Sequence, residues 1–142
     1  MMIRRLMRTG GAAALILTGV CTLAADLTVT VEGVKPGDGP VLIALFDKPD
    51  GFPAGRAKVQ QMAEGTQAKV AFSFKDLPPG RYALSAFQDR NNNKRLDANM
   101  MGMPTELYGF SRDARGSFGP PKFDDAVLTL DAAPRQISFQ LK

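Results

Sequence analysis

Short segments in which every second residue is hydrophobic place the strongest limit on the fold of this chain. In residues 26–34, Leu27, Val29 and Val31 alternate with polar side chains. Strand side chains point alternately to two faces, so this pattern predicts a half-buried β-strand. The same period recurs at Val70-Phe72-Phe74, Tyr82-Leu84-Ala86 and Ile137-Phe139-Leu141. Because Pro/Gly turns join the segments and little helix is indicated, we predict an all-β antiparallel sandwich of about seven strands.

Two further segments are less regular. Residues 40–47 are nearly all apolar, which favours a central strand covered on both faces. Residues 56–64 fit either a short helix, with Val59, Met62 and Ala63 on one face, or an edge strand. The pattern leaves these two alternatives open.

The segment from Met1 to Ala25 has the features of an export signal. Three arginines precede a short apolar core at residues 12–20, and small residues follow it, ending at Ala25. The apolar run is shorter than the ~20 residues that a membrane-spanning helix needs. We expect cleavage after Ala25, with Ala24 as the second choice. Cys21 lies in a poor match to a lipoprotein cleavage site, because Val20 stands where a small residue is expected.

Export changes what the composition implies. The chain has a net charge of +4, and loss of Arg4, Arg5 and Arg8 reduces it by three to +1, so charge does not argue for nucleic acid or an anionic membrane. Residues 26–142 suit one domain. They contain no cysteine and no histidine, which excludes an intrachain disulfide, His-dependent catalytic triads and most zinc sites. We expect a periplasmic or secreted protein with no transmembrane segment after cleavage.

Oxygen-bearing side chains are concentrated in residues 89–97. Asp89, Asn91 and Asn93 occupy alternate positions, and Asp97 follows at position 9 of the same series. Calcium binds six to eight oxygens, and a D-x-N-x-N-x-x-x-D loop supplies side-chain ligands at these positions. The side chains of Lys94 and Arg95, inside the loop, should point to solvent.

The other ligands of such a calcium site must come from elsewhere. The main-chain carbonyl of Arg95 and the carboxylate of Glu106 are the candidates. The Gly and Glu of a complete EF-hand loop are replaced by Lys94 and Met100. Calcium should therefore bind modestly, and Asp89→Ala should abolish its effect with little change in the metal-free protein. Asp and Asn also suit turns, so a purely structural loop is the alternative.

Three motifs, D-R-N-N-N-K-R-L-D, G-M-P-T-E-L-Y-G-F-S and F-G-P-P-K-F-D-D-A, resemble those of a bacterial secreted family catalogued as domain of unknown function 2141. The likeness begins near Leu27 and extends over nearly all of the chain after the signal. Lys94 departs from the glycine that the family often has there. The resemblance implies an exported β-sandwich of the immunoglobulin or prealbumin kind, without an established activity.

Residues 102–123 form a long segment whose glycines and prolines oppose regular helix. Its aromatic residues either close the open end of the sandwich or form a binding face, and we favour closure. Burial is accordingly predicted for Tyr108, Phe110 and Phe118.

Three functions fit these observations. The first is a noncatalytic exported module whose calcium loop lies at one rim and which binds an unidentified protein or small molecule. The second is a structural domain in which the loop only shapes turns. The third is a carboxylate- or metal-dependent hydrolase that would use Asp89, Asp97 and Glu106.

Overall fold

The computed structural model describes residues 23–142, so the predicted signal lies outside them except for its last three residues. The described part forms eight strands and two short helical segments. The strands are β1 Ala25–Glu32, β2 Val41–Phe46, β3 Val59–Ala63, β4 Lys69–Leu77, β5 Gly80–Gln88, β6 Tyr108–Phe110, β7 Leu128–Leu130 and β8 Arg135–Gln140. A 3₁₀ turn spans Ser111–Asp113, and a one-turn helix α1 spans Phe123–Ala126.

The strands form two sheets, as predicted for a β-sandwich. One has the order β4-β1-β8, and the other has the order β3-β2-β5-β6, with β7 also paired to β5. Every pairing between these strands is antiparallel except that of β1 with β8, which is parallel. The alternation in sequence is visible as burial, because every second residue of β1 faces the core. Residues 56–64 contain an edge strand, β3, which pairs only with β2.

The main core lies between the sheets. Leu27, Val29 and Phe74 from the first sheet and Ile43 and Leu84 from the second are almost completely buried there. β1 begins at Ala25, which is itself buried and pairs with Leu77. The first strand therefore starts one residue before the predicted mature N-terminus.

A second apolar cluster covers part of the outer face of the larger sheet. Phe46, Phe110 and Phe123 are buried in it, and Phe52 packs edge-on against all three, with ring centroids 5.2–6.0 Å apart. β2 is consequently covered on both faces only near Phe46, whereas Leu42 is half-exposed.

The predicted burial of aromatic residues is confirmed for Phe110 and wrong for Phe118. Phe110 is buried, Tyr108 is half-buried, and Phe118 is fully exposed. The reason is that Phe52, from the loop after β2, occupies the space beside Phe110 and Phe123. Phe118 is left on the glycine- and proline-rich segment outside this cluster.

Candidate functional site

The acidic loop starts where β5 ends, at one rim of the sandwich. Gln88 is buried at that strand end, and its amide accepts from the backbone N–H of Lys35 (2.9 Å) and donates to the carbonyls of Lys35 (2.7 Å) and Gly39 (3.1 Å). The backbone N–H of Asp89 donates to the Pro40 carbonyl at 2.8 Å. These bonds connect the turn between β1 and β2 to the start of the loop, so the loop begins from a fixed point. This role of Gln88 was not identified from the sequence.

Asp89 organises the first half of the loop from a completely buried position (0 % exposed). Its Oδ1 accepts the backbone N–H of Asn93 at 3.2 Å, and its Oδ2 accepts that of Lys94 at 2.7 Å. Hydrogen bonds to an ionised carboxylate are among the strong ones. Asp89 therefore folds the chain back on itself over a short stretch of sequence.

Asn91 and Asn93 each accept one backbone N–H, from the residue two positions further along the chain. Asn91 Oδ1 accepts the backbone N–H of Asn93 (3.3 Å), and Asn93 Oδ1 accepts that of Arg95 (3.0 Å). These are the side-chain-to-backbone contacts by which Asn stabilises turns. Each side-chain oxygen is thereby oriented by a backbone donor.

Asp97 completes the cluster. Its carboxylate accepts from the side-chain amide of Asn93 at 2.8 and 3.0 Å and also from the side-chain amide of Asn91. The loop thus brings together the four side chains that the D-x-N-x-N-x-x-x-D spacing singled out. The side chains of Lys94 and Arg95 are exposed, as expected.

Glu106 joins the two ends of the loop. It is 7 % exposed, and its Oε1 accepts the backbone N–H of Arg90 while its Oε2 accepts that of Asp97, both at 3.0 Å. Asp97 in turn accepts, through its carbonyl, the backbone N–H of Thr105 at 2.9 Å. Each oxygen of Glu106 therefore holds the backbone of a loop end.

The three carboxylates do not form a single charged group. In residues 23–142, no set of three or more His, Cys, Asp or Glu side chains is arranged to hold a metal ion. Any cation in the loop would depend on the amide oxygens of Asn91 and Asn93 as well as on Asp89 and Asp97. Because Asp89 holds two backbone N–H groups, the structure favours a loss of stability in metal-free Asp89→Ala, in contrast to the small change expected from the sequence.

A hairpin continues from the far end of the loop. Ala98 and Pro104 form an isolated antiparallel bridge, and residues 99–103 turn between them. The side chain of Asn99 accepts the backbone N–H groups of Met101 (2.9 Å) and Met103 (3.1 Å). Sequence reasoning did not identify this hairpin, although Asn99 and Gly102 are typical turn residues.

The comparison with protein families decides what kind of chain this is. The model of a family described as an uncharacterized protein conserved in bacteria (DUF2141) matches residues 29–138. The chain belongs to this DUF2141 family. The match extends from within β1 to within β8, so the family domain includes both sheets, the acidic loop and Glu106. No curated protein and no solved structure matches this DUF2141 chain.

Proposed function

We propose that this chain is an exported, noncatalytic binding or accessory module whose rim loop takes up calcium. The supporting observation is the convergence of Asp89, Asn91, Asn93 and Asp97 through hydrogen bonds with one another and with the loop backbone. These residues supply only oxygen ligands, which is the chemistry that calcium prefers.

The side-chain oxygens of the loop still have lone pairs that could bind a cation. A carboxylate or amide oxygen has two lone-pair sites, and both oxygens of Asp89 and the Oδ1 atoms of both asparagines each accept from backbone N–H. Calcium would replace the contacts between the asparagine amides and Asp97. Asp89 and Asp97 would balance its charge, and the Arg95 carbonyl and water would add oxygens. Glu106 is assigned a positioning role, because both of its oxygens already hold loop backbone.

The expected affinity is modest. Extracellular calcium modules bind with Kd values of about 10⁻⁴–10⁻³ M. At about 1 mM calcium and a Kd of about 0.1 mM, binding adds about 1.4 kcal/mol to the free energy of unfolding. In a domain of this size, that corresponds to a rise of about 5 °C in Tm.

The test is the Tm of the purified protein with chelator and with about 1 mM calcium. Asp97→Asn keeps the shape of the side chain and removes one of the two charges, so the calcium-dependent rise should largely disappear. Asp131→Asn, at an exposed position outside the loop, is the matched control and should retain the rise. A wild-type Tm that calcium leaves unchanged would refute the calcium proposal.

A purely structural loop is the second candidate, and one observation favours it. Asp89, Asp97 and Glu106 already accept enough hydrogen bonds to close the loop without a cation. Under this alternative, Asp97→Asn lowers Tm equally with and without calcium. A carboxylate-dependent hydrolase has less support, because Asp89 and Glu106 are both engaged by backbone N–H groups.

Binding of an unidentified protein or small molecule is the proposed role of the module. A half-exposed apolar strip crosses the outer face of the larger sheet beside the loop, where Leu42 pairs with Met62 on one side and Phe87 on the other. Lys94 borders this strip, so the loop and the strip form adjoining surfaces. Within residues 23–142, no helix is long and apolar enough to cross a membrane.

Export is proposed from the segment Met1 to Ala25 and is tested by the intact mass of the protein recovered from the periplasm. Cleavage after Ala24 would retain all of β1, whereas cleavage after Ala25 would remove its first residue. A mass that still includes this segment would refute its cleavage as a signal, and absence of the protein from the periplasm would refute export. A mass showing lipid on Cys21 would mean a membrane-anchored form instead.

A further inference from the structure

Three exposed thioethers of residues 23–142 lie together on one turn. Met100, Met101 and Met103 are 105 %, 87 % and 60 % exposed, and they are three of the four methionines in residues 23–142. Met62, on β3, is the fourth. Apolar side chains this exposed contribute little to the stability of the fold, so packing does not explain why three of them share one turn.

The backbone beneath these side chains is well held. The N–H of Gly102 donates to the Asn99 carbonyl at 3.0 Å, and the N–H of Asn99 donates to the Met103 carbonyl at 2.8 Å. Gly102 has φ 78°, a left-handed conformation that glycine adopts without strain. With the two bonds that the Asn99 side chain accepts, the turn is fixed while its methionine side chains extend into solvent.

We propose that this hairpin tip binds copper(I) through the thioether sulfurs of Met100, Met101 and Met103. Thioethers are soft, uncharged ligands that select copper(I) over calcium and magnesium, which prefer oxygen. Met100 and Met101 occupy the two central positions of the turn that is closed by the bond from the Gly102 N–H to the Asn99 carbonyl, and Met103 directly follows that turn. A methionine side chain has several rotatable bonds, so side-chain rotation can bring the three sulfurs towards one ion.

The surroundings suit a monovalent ion. Residues 98–105 contain no charged side chain, so the bound ion would keep its single positive charge at an exposed, well-solvated tip. Asp97 and Glu106, one on each side of the hairpin, are the nearest acidic residues in sequence. The site is separate from the calcium loop in ligand chemistry, and the proposal does not depend on calcium binding.

The test is an anaerobic competition between the protein and a chromophoric copper(I) chelator. Every variant carries Cys21→Ser, which removes the only thiol, and the chain has no histidine. The three methionines in residues 1–22 stay constant in all variants. Each single Met→Leu change in the tip should weaken binding by about tenfold, equivalent to about 1.4 kcal/mol. The triple variant Met100→Leu/Met101→Leu/Met103→Leu should lose one bound equivalent.

Met62→Leu is the matched control and should bind like the parent protein. Leu and Met are similar in volume and the replaced side chains are exposed, so the triple variant should retain the parental Tm. A silver(I) titration followed by the methionine methyl NMR signals should shift the three tip resonances and leave that of Met62 in place. If the triple variant takes up as much copper(I) as the parent, the proposal is wrong.

Discussion

The carboxylate of Asp89 accepts a 2.7 Å hydrogen bond from the backbone N–H of Lys94, a residue whose backbone is left-handed with φ 61°. An EF-hand loop has an invariant glycine at this position because of its sharp turn. Here a lysine makes a left-handed turn, and a buried carboxylate holds it in place. Lys94 in place of glycine therefore adds backbone strain to the loop, but the loop still closes.

Lys94→Gly is expected to stabilise the metal-free protein. A non-glycine residue in the left-handed conformation costs about 1–2 kcal/mol, which glycine would relieve. The greater freedom of glycine in the unfolded chain offsets this gain by about 0.4–1 kcal/mol. The free energy of unfolding in urea should therefore rise by about 0.5–1 kcal/mol. Lys94→Ala removes the same charge and keeps Cβ, so it should not stabilise. Equal stabilisation by both variants would point to charge rather than backbone strain.

Glu106→Gln should loosen both ends of the acidic loop. The amide can accept from only one of the two backbone N–H groups, at Arg90 or Asp97, and presents a donor to the other. Loss of a hydrogen bond to a charged group costs about 1.5–3 kcal/mol, which urea unfolding would measure. Hydrogen exchange should accelerate at these two amides. Glu64→Gln, at an exposed position, is the control. A comparable loss of stability there would contradict the proposal that Glu106 holds the two loop ends together.

Ser111→Ala should destabilise the larger sheet at the gap between β6 and β7. The buried hydroxyl of Ser111 accepts the backbone N–H of Leu84 at 2.9 Å and donates to the carbonyl of Ala126. Each buried polar group left unpaired costs about 1–3 kcal/mol, so we expect a loss of about 2 kcal/mol or more in urea unfolding. Ser117→Ala, at an exposed position, should have no effect of this size. An unchanged stability of Ser111→Ala would mean that water replaces the hydroxyl.

Asp26 should make stability depend on pH in acid. The hydrogen bond from the Lys75 ammonium, followed by that from the Asp76 backbone N–H, lowers the pKa of Asp26 below its ordinary value. A lowered folded-state pKa contributes stability above the unfolded pKa of about 3.9, and this contribution is lost as pH falls through the folded value. The difference in unfolding free energy between wild type and Asp26→Asn should therefore shrink below about pH 4. A difference that is constant down to about pH 2 would contradict this assignment.

Periodicity in the sequence was sufficient to predict four of the eight strands. Alternation identified β1, β4, β5 and β8, because a side chain's face in a strand depends only on its position in the chain. The D-x-N-x-N-x-x-x-D spacing likewise identified the residues of the loop, since Asx side chains bond to backbone only a few positions away.

The parallel pairing of β1 with β8 was not predicted, because it joins the first strand to the last and alternation carries no information about partners. The backbone contacts of Glu106 were not predicted for a similar reason. Sequence proximity suggested a metal ligand, whereas in the structure both of its oxygens hold backbone N–H groups of the loop.

Local chemistry thus determined the four alternating strands, where the acidic loop lies and which side chains fold it. Only the tertiary structure shows that Phe52 packs into the second apolar cluster and that Phe118 stays exposed. Both are aromatic residues in glycine- and proline-rich loops, and nothing in their immediate sequence distinguishes them. Phe52 is brought against Phe46, Phe110 and Phe123 by the path of the chain after β2, and burial is decided by such contacts between distant segments.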